Sequence, residues 1–155
     1  MSPRTLPGFS GRLTQSLIRA LDSAARILGR DDARAPHLKT GEHGEEAAYF
    51  HLRKMGYTIV ARNWRSPRRR GELDLVGWHD EVLCFIEVKT RTSRGFVPAE
   101  AAVDAEKQRD LCAVAREYLL RAKPDAASRF DVVSVYLEDG KPAEISVIRD
   151  AFSAR

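Results

Sequence analysis

Cysteine is almost absent from this chain of 155 residues, and no apolar run approaches the twenty or so residues that cross a bilayer. The two cysteines, Cys84 and Cys112, have no second Cys or His at metal-ligand spacing, which excludes a disulfide framework and a zinc finger. Both read as reduced core residues of a soluble, cytoplasmic protein. Only four histidines are present, and His37, His43, His51 and His79 do not assemble into a metal or nucleophile site. There is no Ser-His-Asp order, no phosphate-cradling glycine loop, no internal repeat and no long linker. Acidic residues are missing before Asp22, while the chain as a whole carries a net charge of +4 and a pI near 9.3. That balance favours polyanionic partners without naming one.

What is present is one domain's worth of apolar sequence behind a basic extension. Residues 1–39 are rich in Arg, Pro, Gly and Ser, yet Leu13, Leu17, Leu21, Ala24 and Leu28 follow helical spacing. The expectation is an amphipathic helix docking on the domain or a partner, with an organelle-targeting peptide or a membrane-surface anchor as the alternatives. From Thr40 to residue 150 the pattern predicts helix, three strands, helix, two strands, leaving 151–155 as a tail. Thr40 is placed to cap the first helix, which Gly56 ends, and Asp104 to cap the second, which Pro124 stops. The order α-β-β-β-α-β-β implies an α/β domain with a mixed sheet.

Chemistry concentrates between Gly71 and Arg91, where two apolar β-type runs are interrupted by Asp74, Glu87 and Lys89. Alternation places Leu83, Phe85, Glu87 and Lys89 on one face of their strand and Cys84, Ile86 and Val88 on the other. In the preceding run Glu72, Asp74 and Val76 oppose Leu73, Leu75 and Gly77. A hairpin turn at His79-Asp80-Glu81 makes the runs antiparallel neighbours and brings Asp74 toward Glu87. Two close carboxylates repel, raising one pKa unless a cation sits between them, and oxygen-only ligands suit Mg²⁺ or Mn²⁺. The competing reading is a buried ion pair of Lys89 with Glu87 or Asp74.

An Asp followed a dozen residues later by Glu-x-Lys on the adjacent strand resembles the PD-(D/E)xK nuclease motif. The wider pattern Gly41-x-x-Gly44-Glu45-x-x-Ala48, Gly56, Arg62-Asn63, Gly71-Glu72-Leu73-Asp74-Leu75, Phe85-x-Glu87-Val88-Lys89-x-Arg91, Lys107 and Arg129-Phe130-Asp131 resembles the YraN-like bacterial family. The resemblance implies a restriction-endonuclease-like three-layer core similar to that of Holliday-junction resolvases. It also implies a metal-dependent endonuclease acting on DNA, with branched or otherwise structured DNA among its substrates and a homodimer as the assembly. On this reading Asp74, Glu87, the Val88 carbonyl and Glu45 hold Mg²⁺ or Mn²⁺, and Lys89 orients water or neutralises charge. Lys107 and Arg91 contact phosphates. Glu72 is an outer acid or an arginine's partner. The loop arginines Arg68, Arg69 and Arg70 lead nucleic acid toward Asp74, with Trp64 and Trp78 expected in the core. Asp131 reads as structural, paired with Arg129 or Arg62. The alternative function is a non-catalytic nucleic-acid-binding module on the same fold.

Overall fold

The computed structural model describes residues 36–92 and 103–153, so the expectations for residues 1–35 lie outside the described residues. Helix α1 spans Pro36–Lys54, and strands β1 (Thr58–Arg65), β2 (Glu72–His79) and β3 (Val82–Arg91) follow. Helix α2 (Ala105–Ala122) precedes β4 (Ser128–Tyr136) and β5 (Glu144–Phe152). The five strands pair in the order β1-β2-β3-β4-β5, antiparallel throughout except for the parallel β3–β4 pair. A parallel pair needs a crossover, and α2 lies within it. The register shifts between Ile59 and Ala61 on β1 and between Phe130 and Val132 on β4. Among the described residues no helix is long and apolar enough to cross a membrane.

Local chemistry explains most of the boundaries. Asp104 caps α2, its carboxylate accepting the Lys107 amide at 2.8 Å, and Lys123 closes the helix in the left-handed region just before Pro124. The β2–β3 hairpin turns at Asp80, whose φ is 54°, with His79 and Val82 as the last pair. Helix α1 begins at Pro36 rather than at the expected Thr40, because a proline's fixed φ and missing N–H suit a first helical turn. At the far end β5 runs on to Phe152, beyond the short strand that the apolar residues alone had suggested.

Alternation splits the core into two layers, one on each face of the sheet. Ala48 and Leu52 of α1 pack with Leu75, Ile86, Val88 and Val133, while Leu111 and Val114 of α2 pack with Val76, Phe85 and Val132. The result is the three-layer α/β arrangement. Leu73 departs from the expected faces: it joins Val76 in the α2-side layer, at the end of β2 that no longer pairs with β3. Trp64 and Trp78 both pack against this layer, and Trp64 meets Tyr118 edge to face at 5.2 Å. Cys84 and Cys112 are free and buried in opposite layers, and burial pushes the Cys84 thiol up to about 12.

Gly44 sets how closely α1 approaches β3. A methyl group there would overlap the Thr90 side chain, coming within 2.7 Å of its Cβ. Gly44→Ala is therefore expected to lower stability by about 1–3 kcal/mol through forced separation of helix and strand. Urea unfolding checks this, and a variant as stable as the wild type would show that Thr90 yields freely.

Candidate functional site

The site forms where the sheet opens. Pairing of β2 with β3 runs from His79 and Val82 to Leu75 and Ile86 and stops there, whereas β3 stays paired with β4 as far as Arg91. Asp74 lies one residue past the last β2–β3 rung. Its Oδ2 accepts the Val88 amide at 2.7 Å, so a side-chain carboxylate takes the place of a strand carbonyl. This holds the carboxylate in the mouth of the opening, next to the residue that follows Glu87.

Glu87 points to the α2 side and is 5% exposed. Lys89 Nζ stands 2.8 Å from Glu87 Oε1, and Lys107 Nζ from α2 stands 3.3 Å from the same oxygen. The ion pair of Glu87 with Lys89 is thus present, and Lys107, expected at a phosphate, meets the carboxylate itself. Glu87 Oε2 is buried and has no hydrogen-bond partner among the described residues. A buried carboxylate oxygen left in that state costs free energy unless something else satisfies it.

Asp74 titrates far above an ordinary aspartate. Burial pushes its pKa up to about 7, the negative charge of Glu87 adds to the rise, and the Val88 amide opposes it. Glu45 contributes a smaller upward push and Lys107 a smaller downward one. Asp74 and Glu87 therefore form the interacting acid pair that the hairpin geometry implied.

Glu45 sits on the other side of the sheet, on α1. With Val88 and Thr90 it lines a cleft of about 340 Å³. Burial raises its pKa, while a hydrogen bond with the Asn63 side chain and the nearby Arg62 pull it down. Asn63 is held at φ 49°, a left-handed conformation that asparagine tolerates better than most residues. Among the described residues no three His, Cys, Asp or Glu side chains gather within reach of a single ion. Asp74 interacts with Glu87 and, more weakly, with Glu45.

The remaining residues take partners of their own. Glu72 accepts a 2.7 Å bond from Arg65 at the exposed rim. Arg91 ends β3, where its carbonyl accepts the Leu137 amide at 2.8 Å. Arg68, Arg69 and Arg70 are exposed, and their loop is tied down at Ser66, whose hydroxyl donates to Glu117 at 2.6 Å and accepts the amides of Arg68 and Arg69. That hydroxyl holds Glu117 below the usual carboxylate range. Asp131 pairs with Arg129 and not with Arg62, consistent with a structural part. The pairing of Lys107 with Glu87 and the hold of Asn63 on Glu45 were not anticipated from sequence. Both residues belong to the family pattern, which was the one available signal.

The donor chemistry accommodates a hard divalent cation. Mg²⁺ keeps most of its waters and needs only one or two protein carboxylates, so the Asp74–Glu87 pair, in which Glu87 Oε2 is unsatisfied, fits it. The fold and this notch together define an α/β domain with a carboxylate–lysine site at a break in its sheet. The model described as "Uncharacterised protein family UPF0102" matches residues 44–135, and the chain belongs to that family. A UPF0102 protein of Koribacter versatilis is 54% identical over 139 residues, covering 90% of this chain and 94% of the relative. One from Solibacter usitatus is 49% identical, covering 72% and 84%, and one from Porphyromonas gingivalis is 44% identical, covering 76% and 87%.

Proposed function

We propose that this domain is a Mg²⁺- or Mn²⁺-dependent endonuclease that hydrolyses phosphodiester bonds in DNA. The observation that carries this reading is the partnerless, buried Oε2 of Glu87 beside Asp74, at the point where β2 and β3 part. Asp74, Glu87 and the Val88 carbonyl are the groups that would hold the ion, which when bound supplies polarisation of the phosphodiester and a more acidic water. Asp74 must give up its proton to serve there, and its raised pKa makes that loss occur near neutrality. Lys89 and Lys107 bring two ammonium groups to the place where negative charge builds up on phosphorus. Arg91, two residues beyond Lys89 on the same face, would clamp a neighbouring phosphate with its planar fork.

A second reading has its own support: with Lys89 and Lys107 both on Glu87 Oε1, the site carries much of its own neutralising charge. A site balanced in this way suits a nucleic-acid-binding module without turnover. Branched, nicked, flapped, single-stranded and duplex DNA should be incubated with Mg²⁺ or Mn²⁺ and wild type, Glu87→Ala or Lys89→Ala, with binding measured on the same substrates. The expected result is cutting of at least one substrate by the wild type alone. Binding with no cutting of any substrate in either metal would favour the module and sink the nuclease.

A further inference from the structure

We propose that the solvent-facing side of α2 is a track for a nucleic-acid backbone, leading toward the notch and contributing most of the affinity. The inference rests on the proposed nucleic-acid ligand, but not on turnover. Two clefts of about 630 and 690 Å³ lie along this helix and share Ala113 and Arg116 in their walls, so they join end to end. From Ala105 to Arg121 the lining residues recur every three or four positions, which marks one helical face. At 1.5 Å per residue that face is about 24 Å long.

The charge on the face is one-sided. Arg68, Arg69, Arg109, Arg116 and Arg121 line the two clefts and are exposed, against one acid, Glu117, among the described residues. Glu117 is already engaged by the Ser66 hydroxyl, by Arg68 at 3.9 Å and by Arg121 at 3.4 Å. The other acids of the helix near this stretch, Glu106 and Asp110, line neither cleft. Guanidinium groups match phosphate oxygens through paired N–H donors, and here they are repeated along a line rather than clustered at a point.

Two further features favour a backbone over a protein surface. Among the described residues the only large hydrophobic strongly exposed on this face is Leu120, at 74%, too little apolar area to form the core of a protein interface. The loop arginines are pre-set, since Ser66 is buried and its hydroxyl fixes the Arg68 and Arg69 amides, so less freedom is lost on binding. One end of the track, at Ala105 and Gln108, falls in the same turn as Lys107, which touches Glu87. The other end is the loop that enters β2 through Gly71, and Gly71 itself lies against Val114 of α2. A strand laid along the arginines is therefore bordered at both ends by segments that carry site residues.

The test is binding of the full chain to a labelled 20-base-pair duplex and to its single strand, in EDTA, over a range of KCl concentrations. The wild type is compared with Arg109→Gln/Arg116→Gln and with Arg53→Gln, which removes an exposed arginine from α1 on the other side of the sheet. The double variant is expected to lose about tenfold or more in affinity, and its salt slope to fall by about one to two, since each duplex phosphate contact contributes about 0.9. Arg53→Gln should leave the slope unchanged. Equal slopes for wild type and double variant would overturn the track, and so would an equal fall in Arg53→Gln, which would reduce the effect to net charge. A change of oligomeric state in the double variant with its slope intact would make this face a contact between copies and also overturn the proposal. Track-dependent binding by a wild type that never cuts would leave the track standing and remove the nuclease. Cutting with unaltered slopes would do the reverse.

Discussion

Asp74→Asn is expected to melt at a higher temperature than the wild type at pH 8 in metal-free buffer, and at the same temperature near pH 4. The folded-state pKa of Asp74 lies at about 7 against an ordinary 3.8, chiefly because the group is buried and secondarily because Glu87 is close. Between those values the folded protein keeps a proton that the unfolded chain releases. The contribution to stability is therefore complete below about pH 4 and is lost as pH rises through 7. Three pH units at 1.36 kcal/mol each set an upper limit of about 4 kcal/mol for the loss. An amide at this position stays neutral at every pH, and its oxygen can still accept the Val88 amide now taken by Asp74 Oδ2.

If the domain is the nuclease proposed above, the same substitution should also lower hydrolysis by roughly two to three orders of magnitude, as when one member of an electrostatic catalytic set is removed. A gain in stability with a loss of activity is the mark of a residue kept for function at the expense of the fold. Mn²⁺ should shift the wild-type melting curve upward at pH 8 and leave that of Asp74→Asn in place. Identical pH dependence in the two proteins would remove the raised pKa, and with it the electrostatic case for a cation.

The second large effect is structural. Asp131→Ala should cost about 3–5 kcal/mol, because it strands the groups that surround a fully buried charge. Arg129 donates to both carboxylate oxygens of Asp131, at 2.8 and 3.2 Å, and the Tyr57 hydroxyl donates to Oδ2 at 2.9 Å. The Asp150 amide completes the set at 3.0 Å. The charge of Asp131 reinforces burial in raising the Tyr57 pKa, and its hydrogen bonds hold Arg129 protonated more firmly than usual. Thermal unfolding of Asp131→Ala and of Asp131→Ala/Arg129→Met separates the causes. The double variant should recover part of the loss, since it no longer leaves a guanidinium without its acid. A single variant that melts like the wild type would show that the network contributes little.

The faces of β3, the hairpin at Asp80 and the Asp104 cap were legible because each depends on a few neighbouring residues and a fixed period. The approach of Asp74 to Glu87 followed from the same periodicity once the hairpin was assumed. Leu73 was misplaced because strict alternation assumes a paired, regular strand, and β2 has parted from β3 at that residue. The start of α1 was missed because Pro36 reads equally well as the end of one segment or the first turn of the next. The position of Glu45 relative to Glu87 depends on which side of the sheet α1 covers, and a helix pattern does not encode that. The contact of Lys107 with Glu87 was not legible because nothing within α2 shows which strand its first turn meets. The partners of Asp131 lie 74 residues away in the case of Tyr57, beyond the reach of any local pattern.

The two outer strands pair imperfectly with their neighbours: β1 slips against β2 between Ile59 and Ala61, and β5 against β4 beside Asp131. In the second case the Asp150 amide turns to a carboxylate, with Asp150 itself at φ 50°. Bulged margins of this kind bend away from a flat template. Among the described residues both marginal strands thus carry a break in their regular pairing, a feature that disfavours edge-to-edge stacking of sheets into fibrils at high concentration.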